Sequence, residues 1–276
     1  MPWTLSVQRS CPFCNSETNS VCMFLALIRH GVLICVAVIT ANAQALERWD
    51  RAVCLLAESC DAQGNTNTQI GSAFLVDVAG EVALVTATHV STFTDGHSKL
   101  LFRAPDGPSR FVLLGALNAT DGSPWKTHDH SDLAVMRVCA KKVSEENRAW
   151  LSALAIPVTA LASASPARTT KVELTGFPLS LGLTRTISPL VTCAAVASRE
   201  LECDGKWGKE QLWYASPVVG DGVSGGPVFE AYDDSARLSV VGMYTGYASD
   251  QSGPKLARVV PSRLIFEMIA KQLDFP

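Results

Sequence analysis

Ser224 stands in the stretch GDGVSGGPVF, with Gly222 before it and Gly225, Gly226 and Pro227 after it. A serine that attacks a carbonyl needs an exposed hydroxyl, a backbone folded tightly beneath it, and amide N–H groups aimed at the oxyanion that forms. Glycines on both sides permit that folding, because without a Cβ they reach positive φ at little cost. Taken alone, SGG also reads as a Gly-Pro surface turn, so its meaning depends on a base. The chain has five histidines, His30, His89, His97, His128 and His130, and none follows Ser224. His89 closes the apolar run VALVTATHV where the chain turns into a short polar stretch, a placement suited to the edge of a cleft. A general base is held in one orientation by a third group, usually a carboxylate on its far ring nitrogen. Asp132, directly before the apolar LAVMRV, can supply it from a strand that buries itself and keeps the carboxylate dry. Singly, Asp132 also reads as a turn residue or strand cap; the three together suit nucleophilic acyl transfer.

The elements that must position these residues read as β-structure. Short apolar, β-branched runs at 52–57, 70–78, 81–87, 99–104, 110–118 and 132–139 are separated by AQGNTN, DVAG, STFTDG and APDGP, which predicts six strands and a small barrel or sandwich. Between 140 and 169 the texture changes. Ser144 with Glu145 and Glu146 can open a helix to Leu154 that Pro157 stops, and an Ala/Ser/Pro-rich connection follows. Strands resume at 171–176, 183–197, 211–216, 227–231, 238–247 and 257–260, and a helix over 261–273 carries an apolar stripe of Leu264, Ile265, Met268, Ile269 and Leu273. The expected domains are 46–143, a connection over 144–168, and 169–276. GVSGG also fits the G-x-S-x-G elbow of α/β-hydrolases, but there the histidine follows the serine, and the required strand-helix alternation is missing.

The N-terminus reads as an address. From Met23, a short start bearing Arg29 leads into an apolar run over 31–39 and then Ala41, Ala43 and Ala45, the pattern of a secretory signal cut after Ala43 or Ala45. A retained anchor is the alternative, but Arg29 and His30 interrupt the apolar stretch, and what remains falls short of the roughly 20 residues that span a bilayer. The expectation is export to a periplasmic or extracellular space with no stable membrane insertion after cleavage. Residues 1–22 are polar, and the true start is expected at Met23. In the mature chain Cys54, Cys60, Cys139, Cys193 and Cys203 remain. Export permits disulfides, and the short spacings suggest Cys54 with Cys60 and Cys193 with Cys203; Cys139 is expected as a buried free thiol, with a cysteine nucleophile as the sharper alternative. A net charge of −3 without a long basic run excludes an electrostatic footprint for nucleic acid.

TATHV around His89, HSDLAV around Asp132 and GVSGGP around Ser224 resemble the three catalytic motifs of the chymotrypsin-like, or trypsin-fold, serine proteases, in that family's order of His, Asp, Ser. The resemblance spans residues 52–273. GSAFLV before the histidine, together with short loops, is most similar to the bacterial HtrA-like and glutamyl-endopeptidase-like enzymes. It implies an all-β fold of two six-stranded antiparallel β-barrels with a C-terminal helix, His89 and Asp132 coming from the first barrel and Ser224 from the second. It implies a serine endopeptidase acting on polypeptide, without cofactor or metal, with the backbone N–H groups of Gly222 and Ser224 as oxyanion hole. Thr245, Gly246 and Tyr247 would pair with an extended substrate. Val218 and Val219 would lie by the specificity pocket, which leans away from Lys or Arg although Asp221 is close. Digestive members carry an aspartate before the nucleophile to capture a new N-terminus; here Val223 stands there, so activation by N-terminal insertion is not expected. No PDZ module is expected after the last helix, and a monomer is.

Other features have plain readings. His128 and His130 around Asp129 lack a third placed ligand and read as solvent-exposed rather than metal-binding. Asn118 in NAT is a glycosylation acceptor only in a host that glycosylates exported chains. Trp207, Trp213 and Tyr214 read as packing. Two further functions stay open: a catalytically silent trypsin-like fold used for binding, and an esterase on the same three residues.

Overall fold

The computed structural model describes residues 46–276 except 61–65, 105–107, 119–123, 140–141, 182, 184–186, 235 and 273–276. The expected signal, its cleavage points and the start at Met23 lie outside the described residues. Among the described residues no helix is long and apolar enough to cross a membrane.

The first half folds into β1 (Ala52–Cys60), β2 (Thr66–Val78), β3 (Glu81–Thr86), β4 (Lys99–Arg103), β5 (Ser109–Leu113), β6 (Trp125–Thr127), β7 (Ala134–Arg137) and the stub β8 (Ile156–Pro157). Their order is β5-β4-β1-β2-β3-β7-β6, with β8 parallel on β2. The ring is drawn shut where Asn118 bridges Val138 and the Cys139 amide donates to the Leu117 carbonyl at 2.7 Å. Six strands therefore form a barrel, and β6 hangs from β7 as an outer hairpin. Period-two patterning aims the side chains: in β4, Leu100 and Phe102 are buried while Lys99, Leu101 and Arg103 are half-exposed.

The second half contributes β9 (Lys171–Gly176), β10 (Leu190–Val196), β11 (Leu201–Gly205), β12 (Gly208–Ser216), β13 (Pro227–Glu230), β14 (Val240–Ser249) and β15 (Lys255–Pro261). Their order is β10-β9-β13-β14-β15-β12-β11, and β10 also pairs with β12, which closes six of the seven into the second barrel. Val172, Leu174, Trp213, Val228, Tyr244 and Val259 belong to its core.

Among the described residues there are four α-helices: α1 (Thr88–Ser91), α2 (Leu114–Leu117), α3 (Glu145–Leu154) and α4 (Ser262–Gln272). Ser144 caps α3 as expected, its Oγ accepting the Asn147 amide at 3.2 Å. The stripe on α4, Leu264, Ile265, Met268 and Ile269, is buried in the same apolar cluster as the first barrel's core. The last element of the chain thus ties the two halves together.

A polar strap does the same from the other end. Buried Arg48 grips Glu173 of β9 with two hydrogen bonds, Nε to Oε2 at 2.8 Å and Nη2 to Oε1 at 2.9 Å, and Trp49 Nε1 adds a third at 2.7 Å. Removing one partner of a buried pair strands the other charge, which costs about 3–5 kcal/mol. Glu173→Ala is therefore expected to lower unfolding free energy by that amount in urea titration. The double variant Arg48→Met with Glu173→Leu should recover much of it; full stability of the single variant would contradict the strap.

Several expected elements change at their ends. The run 110–118 leaves the sheet at Leu113 and coils into α2, because Gly115 lies backbone to backbone against Gly96 and donates to its carbonyl at 3.0 Å. The run 183–197 enters the sheet only at Leu190, just after Pro189, which has no N–H to give a ladder. β6 and β11 went unpredicted: β11, LECDG, shows no buried face and so carries no alternating signal.

The two expected disulfides are not formed; Cys54, Cys139, Cys193 and Cys203 are free. Cys54 and Cys60 occupy one extended strand six residues apart. That separates them by about 20 Å at ~3.3 Å per residue, far beyond a disulfide's reach. Cys193 faces Glu173 on β9, whereas Cys203 faces Glu210 on β12, well away from the Ser216 end where β12 meets β10. Burial pushes the Cys54 thiol up to about 12, leaving it an inert core group. Cys139 is half-buried rather than buried.

Candidate active site

Strand β3 ends at Thr86, and His89 is the second residue of the one-turn helix α1 rather than the end of a strand. Asp132 sits in the loop before β7, closed by the His128 amide donating to the Leu133 carbonyl at 2.8 Å. The structure brings these two together. Asp132 Oδ2 lies 2.7 Å from His89 Nδ1, and Oδ1 accepts the backbone N–H of His89 at 3.0 Å. The carboxylate is buried, with 7% of its side chain exposed, whereas the imidazole is 38% exposed. A neutral imidazole that donates to Asp132 carries its proton on Nδ1, and Nε2 then holds the lone pair.

Ser224 lies in the loop between β12 and β13, and its backbone reaches the first barrel. Its carbonyl accepts the Ser72 amide at 2.8 Å. A Cβ built at Gly225 would stand 2.1 Å from the Ser72 carbonyl oxygen, 2.3 Å from Thr86 Oγ1 and 3.0 Å from the Ala87 amide nitrogen, only two residues before His89. Glycine alone fits that contact, and its φ of +89° adds a second reason. Ser224 is half-buried, and among the described residues its Oγ makes no hydrogen bond, to His89 or to another group. In ligand-free sites such contacts are often long and tighten only when substrate binds.

Four successive carbonyls of this loop are turned away and occupied. Asp221 O accepts Leu179 N at 2.8 Å, Gly222 O accepts Ser72 Oγ at 2.7 Å, Val223 O accepts Gly226 N at 2.8 Å, and Ser224 O accepts Ser72 N. In a planar trans peptide the N–H points opposite to the preceding C=O, so pinning Asp221 O and Val223 O aims the amides of Gly222 and Ser224 the other way. Among the described residues neither amide has an acceptor. Gly222 itself has φ +98°, and a Cβ there would strike the Phe177 carbonyl at 2.4 Å. Val223, where an ion-pairing aspartate would otherwise stand, is packed in the second core at 1% exposure.

β13 accompanies β14 only as far as Met243, and from there β15 is the partner of β14 out to Ser249. Thr245, Gly246 and Tyr247 therefore present a free edge among the described residues. Thr245 is buried with its Oγ1 unpartnered, Gly246 takes φ +120° at a bulge, and Tyr247 is exposed. Val218 and Val219 are half-buried, and buried Tyr244, whose amide and carbonyl bond Gly226 and Gly225, reaches Val219 O with its hydroxyl at 3.0 Å. Burial pushes that phenol up to about 12, so it remains a neutral donor. Asp221, close enough to the Tyr244 phenol to act on it, is exposed.

Ser72, Leu179 and Tyr244 escaped the sequence reading. For Ser72 a signal existed, since a lone hydroxyl inside the apolar strand GSAFLV asks for a buried partner. His128 and His130 lie elsewhere on the loop, His128 Nδ1 accepting the His130 amide at 3.1 Å. Trp213 is core, as expected, and Tyr214 bonds Cys203 Sγ at 3.4 Å.

No protein-family model and no curated protein matches the chain. Solved structures do match. The protease domain of MamO from Magnetospirillum magneticum is 15% identical, with TM-score 0.54 over 80% of this chain and 97% of that one. The HtrA-type protease AlgW, solved with a tripeptide, is 17% identical with TM-score 0.52 over 80% of this chain, which spans only 60% of AlgW. Rv3671c from M. tuberculosis H37Rv, in an inactive form, is 13% identical with TM-score 0.51, covering 86% and 92%. At such identities the likeness speaks to architecture alone, and by architecture this chain has the trypsin-like fold of two β-barrels.

Proposed function

We propose that the chain is an exported serine endopeptidase that hydrolyses peptide bonds through an acyl-enzyme. The observation that carries this reading is the two-point grip of buried Asp132 on His89, which fixes the imidazole and its tautomer beside the loop of Ser224. Ser224 Oγ attacks the carbonyl carbon while His89 Nε2 takes its proton, and the displaced π pair becomes an oxyanion held by the amides of Gly222 and Ser224. Collapse expels the amine, which receives the proton from His89. Water repeats the sequence, attacking the acyl carbon and freeing Ser224 and the new carboxylate. An extended substrate adds to the free edge at Thr245, Gly246 and Tyr247. Val218, Val219 and Tyr244 favour an apolar side chain over Lys or Arg at the cleaved position.

The test is labelling of the purified protein by a fluorophosphonate, then hydrolysis of casein against simple esters and cleavage of a peptide library. Labelling with casein turnover and few cuts after Lys or Arg is the expected result. A folded protein that resists the label is a binding module instead, and turnover of esters alone makes it an esterase.

A further inference from the structure

Ser72 lies in β2, fully buried, at the point where pairing with β3 has ended at Phe74↔Val85. Its backbone groups on that side are thereby released from the ladder. Each then goes to the site: Ser72 N donates to Ser224 O at 2.8 Å, and Ser72 O accepts Thr86 Oγ1 at 2.8 Å, on the strand that leads to His89. The hydroxyl completes the set, donating to Gly222 O at 2.7 Å and accepting Phe177 N at 3.1 Å. Space has been cleared for it, because a Cβ at Gly176 would fall 2.4 Å from Ser72 Oγ. One residue of the first barrel thus spends every hydrogen-bonding group on the second barrel's nucleophile loop, its neighbour at Phe177, and the segment of the base.

We propose that Ser72 is a positioning residue for the oxyanion hole, an inference that rests on the protease reading of the site. By holding the carbonyls of Gly222 and Ser224, it fixes the two peptide planes that flank the Ser224 donor, the first of which also adjoins the plane of the Gly222 donor. The hydroxyl touches no reacting atom. Its contribution is specific to the state in which the oxygen carries charge, so it acts on turnover rather than on ground-state binding.

Ser72→Ala removes only that oxygen. Leaving Gly222 O and Phe177 N unpaired is expected to lower kcat on a peptide substrate by about ten- to a hundredfold. KM should stay within about twofold, and inhibition by a peptide aldehyde, whose adduct occupies the oxyanion hole, should weaken in step with kcat. Hydrogen exchange in the segment 220–226 should quicken while the β-strands keep wild-type protection. Unchanged kcat, aldehyde affinity and exchange in the folded variant overturn the proposal. So does exchange that rises throughout both barrels with KM and kcat altered alike, which marks a purely structural role. If wild type resists the fluorophosphonate, the protease reading falls by itself, and exchange in 220–226 still decides whether Ser72 clamps the loop. Should Ser72→Ala not fold, Ser72→Cys keeps the shape with a weaker donor, and wild-type behaviour there is equally fatal.

Discussion

Ser224→Ala is expected to cut casein turnover by about a million-fold and to leave the fold as it is. The first part follows from chemistry: without the hydroxyl no acyl-enzyme forms, and only substrate binding and oxyanion stabilisation remain to assist direct attack by water. That remainder is not nothing, and a background about a thousandfold above the uncatalysed rate is expected to persist. The second part follows from structure. Ser224 Oγ makes no hydrogen bond among the described residues, whereas the loop's backbone is held by Ser72, Leu179, Gly226 and Tyr244, none of which needs the hydroxyl. Urea midpoints of the two proteins should therefore coincide, while fluorophosphonate labelling disappears. A variant that keeps more than about a hundredth of wild-type turnover would move the nucleophile elsewhere.

Asp132→Asn should lower kcat by about ten-thousandfold, for a reason that can be traced atom by atom. Oδ1 accepts the His89 backbone N–H at 3.0 Å, so in the carboxamide the oxygen must occupy that place. The NH2 group is then forced to face Nδ1 across the 2.7 Å contact. A donor there makes Nδ1 the acceptor and moves the ring proton to Nε2, the nitrogen that must be free to take the proton of Ser224. The imidazole stays in place with the wrong tautomer. Asp132→Ala offers a useful contrast, because it releases the ring without dictating a tautomer and also leaves the His89 amide unpaired. Equal turnover in wild type and Asp132→Asn, measured on a peptide substrate with the fold verified by circular dichroism, would remove Asp132 from the mechanism.

The sequence by itself settled the local matters. Alternating apolar runs and their turn residues specified most strands, the Ser144 cap specified α3, and the apolar LAVMRV directly after Asp132 placed that residue at the mouth of a buried strand. These are properties of a few adjacent residues, and short-range physics suffices for them. The same locality misled where the determinant lay far along the chain. Nothing near Leu113 announces that Gly96 waits to pack on Gly115, and short sequence spacing made Cys54 and Cys60 look like partners although an extended strand carries them apart. What tertiary structure alone decided is the meeting of His89 with Asp132, the docking of Gly225 on Thr86 and Ala87, and the knot at Ser72. The first needs β3 and β7 paired within the first barrel, and the other two need the barrels closed against one another; such contacts are specified by distance and angle, neither of which is written in the order of residues.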